Sequence, residues 1–440
     1  MALGGGTWTA QNKVLPGAYI NFLTAARASA SLSDRGIATV PLSLDWGPES
    51  QVMTVTAADF QKNSLKILGH AYTDDELKPL REVFANAHTV HVFRLNAGGT
   101  KATNTYADAN YPGTRGNDLK ISIQQNEAFV ESTNEVYDVT TYLGTTEVDV
   151  QKGVRQITDL KANDFVTFKQ SGTLTVTAAT PLASGTDGTV ENTAWQTYLD
   201  KIESYSFHTM GCPSNEDTIK QLFVNFTKRM RDESGVKFQT VVFRYPQADF
   251  EGVISVKNGL VGADTDPSAV YWATGAEAGC AVNKSLTNAS YNGEYDINTD
   301  YTQAQLETAI QSGELVLHQV SGDVRVLTDI NTFISVTDEK SEDFSSNQTI
   351  RVLDQIGNDI AAVFNDKYLG KIPNDNAGRI SLWNDIVSHH QQLQAIRAIE
   401  NFTAEDVTVE AGESKKSVVV NDYVTPTNAM EKLYMQVIVE

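Results

Sequence analysis

Only two of the 440 residues are cysteine, Cys212 and Cys280, and neither has metal-ligand companions nearby. That excludes a disulfide-stapled scaffold and a cysteine zinc site, and it leaves two small buried residues in a reducing compartment. Positive charge is also scarce, with 34 Lys plus Arg against 55 Asp plus Glu and a formal net charge of -21. Phosphate backbones and anionic membranes require a basic surface, so the expected partners include no nucleic acid and no membrane insertion. No apolar run approaches a membrane span, and the opening Met1-Ala-Leu-Gly-Gly-Gly-Thr-Trp8 lacks the basic region and apolar core of a signal peptide. The expectation is a soluble chain made in the cytosol, without repeats or low-complexity tracts.

Catalytic signatures are missing as well. There is no HExxH, GxSxG, CxxC, Walker or GxGxxG pattern. Asn96-Ala-Gly-Gly-Thr-Lys101 follows a strand like a phosphate loop, but it lacks the Lys-Ser/Thr ending and no helix follows, so it reads as a turn. Asp296-Ile-Asn-Thr-Asp300 with Glu307 matches positions of a calcium loop, yet Tyr301 replaces the required glycine and no helix precedes it. The adjacent His389-His390 would project about 100° apart on a helix and cannot share a ligand, so a packing or surface pair is expected. Carboxylate pairs such as Asp74-Asp75 and Glu342-Asp343 lie at helix starts or in a hinge and read as solvated caps. No enzyme, cofactor or metal is expected.

What is present is length enough for two to four domains, with 41% hydrophobic and 20% charged residues. The fold class read from the pattern is α+β and multidomain. After an N-terminal arm and linker (1–29), strands alternate with helices over 30–97, including helices at Ala57–Leu68 and Asp74–Asn86 and a strand at Thr89–Leu95. Short alternating runs, Leu119–Ile123, Val136–Thr140, Asp164–Phe168 and Thr173–Thr177, make 98–191 an inserted antiparallel β-sandwich, with Leu182–Thr189 as its return linker. The α/β texture resumes over 192–333: helices at Trp195–Tyr205, Ser214–Ser234 and Pro267–Cys280, a capping box at Thr302, and a hairpin turning at Ser321-Gly-Asp323. Residues 334–440 read as a hinge, two helices (one from Ile350, one over Gly378–Glu400) and a small sheet.

That sheet includes the final stretch, Met430–Val439, where Leu433, Met435, Val437 and Val439 alternate onto one face. A Pro-containing connection at Val424–Asn428 precedes it, and a similar short strand, Val14–Phe22, stands near the other end. Two readings follow. Both strands fold back onto their own subunit, or both are detachable and add to a neighbour's sheet edge.

Several stretches carry a family resemblance: Gly5-Gly-Thr-Trp-Thr-Ala-Gln-Asn-Lys13 through Pro16-Gly-Ala-Tyr-Ile-Asn21, Tyr111-Pro-Gly-Thr-Arg-Gly-Asn-Asp118, Gly275-Ala-Glu-Ala-Gly279 with Ser285-Leu-Thr-Asn288, and Ala429-Met-Glu-Lys-Leu-Tyr-Met435. The chain resembles contractile tail sheath proteins of bacteriophages and phage-tail-like bacteriocins, particularly those of Gram-positive hosts. The resemblance implies a structural subunit in stacked hexameric rings around a tail tube, contracting to drive the tube through a target envelope. It implies strand exchange through Val14, Leu15, Tyr19, Ile20 and Phe22 at one end and Leu433, Tyr434, Met435, Val437, Ile438 and Val439 at the other, completing the C-terminal sheet of neighbours. Implied partners are other sheath subunits, the tail tube protein, and the baseplate and tail terminator proteins. The implied location is a virion tail or bacteriocin particle, assembled in the host cytoplasm. By position, Lys371 and Arg379 become tube-facing candidates, with solvated charges as the alternative. The competing class is a tail-associated carbohydrate-binding or enzymatic protein with the insertion as its binding domain. Against it stand the missing catalytic constellation and the thin aromatic content of the insertion.

Overall fold

Runs too apolar to alternate, such as Thr240-Val-Val-Phe243 and Val253-Ile-Ser-Val256, require burial on both faces. They lie within a seven-stranded sheet in the computed structural model, which describes residues 32–439. The spatial order is Glu314–Leu315, Val253–Val256, Gln239–Phe243, Thr209–Cys212, Ile37–Leu42, Thr89–Arg94, Val52–Thr56. All neighbours are parallel except the edge pair, where Val52–Thr56 runs antiparallel to Thr89–Arg94. Successive residues serve opposite faces. Val241 packs with the helix Ala269–Gly279, while Val242 packs with Asn192–Ile202 and Asp217–Asp232. The four-residue strands Thr209–Cys212 and Val253–Val256 escape the sequence reading, because a short, fully buried strand carries no period.

Local signals hold where side chains act on their own backbone. Ala57–Leu68 starts on Thr56, whose hydroxyl accepts from Asp59 N, and ends at a left-handed Gly69. Thr302 and Gln305 form both halves of the capping box that opens Gln303–Gln311. The Asp74–Asn86 expectation resolves into a short tight turn at Asp75–Leu77 followed by the helix Lys78–Phe84. The helix Ala269–Gly279 approaches that one so closely that a methyl on Gly275 would overlap the Val83 carbonyl oxygen.

The insertion leaves and returns through a two-stranded stem, with antiparallel bridges Ala97↔Thr189, Thr100↔Thr186 and Thr103↔Ala183. Asn96–Lys101 therefore belongs to a stem. Beyond it, a four-stranded antiparallel sheet (Thr146–Val154, Tyr137–Leu143, Leu119–Gln125, Thr177–Pro181) and the pair Ala107–Ala109 with Val166–Phe168 close over one core. The strand expected at Thr173–Thr177 lies instead at Thr177–Pro181. Leu174 is buried in the core without joining a ladder, which produces the same apolar signal.

The motif Tyr111–Asp118 stitches this root together. Arg94, fully buried, donates from NH1 to Gly47 O (3.0 Å) and Pro112 O (2.8 Å), and Arg115 Nε donates to Gly69 O at 2.7 Å. Trp46 packs edge-on to Tyr111, and both oxygens of Asp187 accept from Thr114.

Residues 33–357 with 426–439 form one unit and residues 358–425 a second, with the helix Asn347–Val363 contributing to both. In the second unit a wide turn, Phe364–Tyr368, leads to Gly370 at positive φ, and Asp375 caps the helix Asn376–Ala395. His389 and His390 are buried, and each holds its own carboxylate: Asp359 and Asp422, both at 2.9 Å. Val407–Ala411 and Val418–Asp422 pair antiparallel as a two-stranded ladder. The third, terminal strand expected of this sheet is a correction: residues 427–439 form no strand, because no described residue pairs with their backbone.

Candidate subunit interface

The terminal segment is held at its root by polar side chains. Gln348 places its side-chain amide across Asn428, donating from Nε2 to Thr427 O (2.9 Å) and accepting at Oε1 from Ala429 N (3.0 Å). Asn428 accepts from Ser346 Oγ at 2.9 Å and donates to Thr349 Oγ1 at 3.1 Å. Glu431 accepts from Thr287 Oγ1 at 2.6 Å and Thr328 Oγ1 at 2.9 Å. Beside this root lies a cleft of about 610 Å³ whose lining includes Ile334 and Val336, both half exposed.

Past Glu431 the restraint ends. Leu433 is 85% exposed, Tyr434 89%, Met435 74%, Val437 72%, Ile438 78% and Val439 90%. The six C-terminal residues expected to exchange thus lie on one segment that pairs with no strand among the described residues. Water-facing aromatic and branched side chains in this number mark a surface awaiting a partner. The N-terminal exchange residues Val14, Leu15, Tyr19, Ile20 and Phe22 lie outside the described residues.

In the unit 358–425, the strand Val418–Asp422 pairs on one side with Val407–Ala411, and Val419 and Val420 are exposed. A two-stranded ladder leaves unpaired N–H and C=O groups along its edges, a template for strand addition.

Lys371 and Arg379 both lie near the start of Asn376–Ala395. Lys371 is exposed and donates from Nζ to Asp366 O; Arg379 is half-buried and donates from NH1 to Asn374 Oδ1 at 3.1 Å. Arg379 lines a cleft of about 450 Å³ with Lys415, Lys416, Ile372 and Leu382, giving a basic mouth over an apolar wall. Neither lysine of the Lys415-Lys416 pair was among the tube-facing candidates read from the sequence; the pair itself was the available signal.

The calcium-like positions do not converge. Glu307 accepts from Gln303, Asn298 accepts from Asp300 N, and Asp264 accepts from Asn298. Among the described residues the group of side chains able to hold a metal is His70, Asp74 and Glu76.

Comparison with known proteins places this architecture. Tail sheath models match along the chain: the Gp18 domain III N-terminal region over 35–95, the beta-sandwich domain over 97–187, the central domain over 188–332 and the C-terminal domain over 339–440. The crystal structure of the sheath tail protein from Desulfitobacterium hafniense is similar at 38% identity and TM-score 0.80, covering 96% of this chain and 99% of that one. The phage-like element PBSX protein XkdK of Bacillus subtilis is 32% identical over 477 residues, covering 99% of each chain. The helical sheath of the anti-feeding prophage in its contracted state shares the fold at 13% identity and TM-score 0.55, covering 97% of this chain and 99% of that one. The chain belongs to the phage tail sheath protein family, and it has that family's multidomain α+β fold with a β-sandwich domain. It is a structural component of a phage or phage-like tail.

Sequence reasoning missed the root of the arm. Gln348, Thr287 and Thr328 are distant from residues 427–431 in the chain, and no local pattern announces a side-chain amide that reads backbone on both sides of another residue.

Proposed function

We propose that this chain is the non-enzymatic subunit of a contractile sheath that polymerises as stacked hexameric rings around a tail tube and contracts to drive the tube through a target envelope. The observation that carries the reading is the terminal segment: anchored through Gln348, Asn428 and Glu431, then exposed across six apolar side chains. Leu433, Tyr434, Met435, Val437, Ile438 and Val439 add a strand to the open ladder of a neighbouring subunit, with Val14, Leu15, Tyr19, Ile20 and Phe22 doing the same from the other end. Backbone bonds contribute about 0.5–1.5 kcal/mol each and each buried side chain about 1.5–3 kcal/mol. Ordering the backbone costs about 1–2 kcal/mol per residue, so an arm with a fixed root, having fewer residues to order, binds where a free one would be near balance.

In this reading, residues 30–97 with 192–333 form the middle domain, 98–191 an outward insertion, and 334–440 the inner domain. Lys371 and Arg379, beside Lys415 and Lys416, face an acidic tube. The other partners are the baseplate and tail terminator proteins.

Negative-stain electron microscopy of the full-length chain beside a version truncated after Thr425 tests this. Hollow tubes or stacked rings lost on truncation are the expected result. Tubes that survive truncation would remove the arm from the assembly.

A further inference from the structure

His70 follows the helix Ala57–Leu68 and opens the sequence His70-Ala-Tyr-Thr-Asp74-Asp75-Glu76. Its side chain is 6% exposed, and its two ring nitrogens meet different surroundings. Nε2 lies 2.8 and 3.0 Å from the two oxygens of Asp45. Nδ1 faces Asp74 Oδ2 at 3.8 Å and Glu76 Oε2 at 3.6 Å and makes no hydrogen bond to either. Asp74 Oδ2 is itself held in place by Ala71 N at 2.8 Å.

An ionised carboxylate only accepts, so the hydrogen on Nε2 points at Asp45, and Nδ1 is the ring atom that faces Asp74 and Glu76. Nδ1 and one oxygen from each of Asp74 and Glu76 lie within 4.8 Å of one another, close enough for one cation to be shared by all three. A metal about 2.0–2.2 Å from each ligand sets tetrahedral neighbours about 3.4 Å apart, and the two separations from Nδ1, 3.8 and 3.6 Å, lie within a few tenths of an ångström of that. The Asp45–His70 pair supplies the orienting carboxylate that metal-bound histidines characteristically have.

We propose that His70, Asp74 and Glu76 form a divalent transition-metal site, with Asp45 as the positioning residue. One imidazole with two carboxylates suits Zn²⁺ better than the hard cations Ca²⁺ and Mg²⁺, which prefer all-oxygen sites. Asp45, His70 and Glu76 border a cleft of about 450 Å³ that also includes Asn96 and Asp187, so water reaches the remaining coordination positions. The site ties the turn after Ala57–Leu68 to the segment after Ile37–Leu42, beside the insertion root where Arg115 grips Gly69 O. Its role is to stiffen that junction, and it stands independently of how subunits assemble.

The test is equilibrium dialysis of the chelator-stripped full-length protein against Zn²⁺, with elemental analysis and thermal melts, in wild type, Glu76→Gln and Asp45→Asn. Glu76 is 59% exposed in its side chain, so its substitution leaves the fold intact. Wild type should take up about one Zn²⁺ per chain and melt higher on binding. Asp45→Asn should weaken binding about 10- to 100-fold and Glu76→Gln at least as much, with the metal-free melt of Glu76→Gln unchanged. Zinc uptake equal in all three proteins would assign it to scattered surface carboxylates and overturn the proposal. So would a wild type whose melt ignores zinc.

Discussion

Arg351 and Asp329 pair where water cannot reach, with side-chain exposures of 0% and 1%. Glu277, also fully buried, takes the other terminal nitrogen of Arg351, and Asn347 Nδ2 donates to Glu277 Oε1 (3.1 Å) and Asp329 Oδ1 (2.9 Å). One guanidinium thus serves two carboxylates carried on different segments of the chain. Replacing Arg351 by Met removes the cation and leaves Glu277 and Asp329 facing each other. Breaking a buried pair in this way costs about 3–5 kcal/mol. Urea unfolding should show the loss, and a midpoint within error of wild type would refute it.

The same cluster predicts a pH dependence. Burial first, then the neighbouring charge of Asp329, pushes the Glu277 carboxyl well above its usual value, despite Arg351. Burial also raises Asp329, but the charge and hydrogen bonding of Arg351 outweigh it and hold that carboxyl below its usual value. A carboxyl whose folded value is raised contributes fully below its unfolded value, about 4.3, and loses that contribution as pH rises through the folded value. Glu277→Gln should therefore gain stability relative to wild type between pH 5 and pH 8. A difference that stays constant with pH would count against it.

Close helix packing gives a third expectation. The position that a Gly275 methyl would occupy is already filled by the Val83 carbonyl, so Gly275→Ala must spread the two helices. Overpacking of this kind costs about 1–3 kcal/mol. Gly262, at positive φ with open space around it, is the wrong control; the exposed Ala304 to Gly on Gln303–Gln311 is the better one, at about 1 kcal/mol from helix propensity alone.

Val437→Asp should leave the melt of the dispersed chain unchanged, since the side chain is largely exposed. Assembly should fail, because a buried carboxylate has no partner in an added strand. Sedimentation separates the two effects, and polymers formed at wild-type concentration would remove Val437 from the interface.

Arg379→Glu reverses charge at the mouth of the cleft shared with Lys415 and Lys416. Tube-templated assembly should weaken most at low salt, where screening is least. Assembly unchanged by the reversal would return Arg379 to the role of helix-end contact with Asn374.

The start of Gln303–Gln311 was legible in the sequence because a cap is a contract between residues three apart, Thr302 with Gln305; the Thr56–Asp59 cap obeys the same rule but was seen only in the structure. The insertion was legible because turn residues punctuate alternating strands, and the helix Ala269–Gly279 because its small residues announce a close neighbour. The family was legible from stretches spread along the chain. The terminal arm has the alternation of a strand, but that it pairs with nothing among the described residues was not legible, since propensity says nothing about what occupies the adjacent edge.

Sequence alone determined the things that depend on neighbours a few residues apart: caps, periods, turns, and an acidic, cysteine-poor chain without catalytic motifs. Tertiary structure decided which distant groups meet. Gln348 grips the backbone around Asn428, Arg351 joins Glu277 to Asp329, and Asp45 orients His70 because the sheet order brings their segments together. Side-chain polar pairing follows the path of the chain in space, and the path is set by burying the strands of one sheet on both faces.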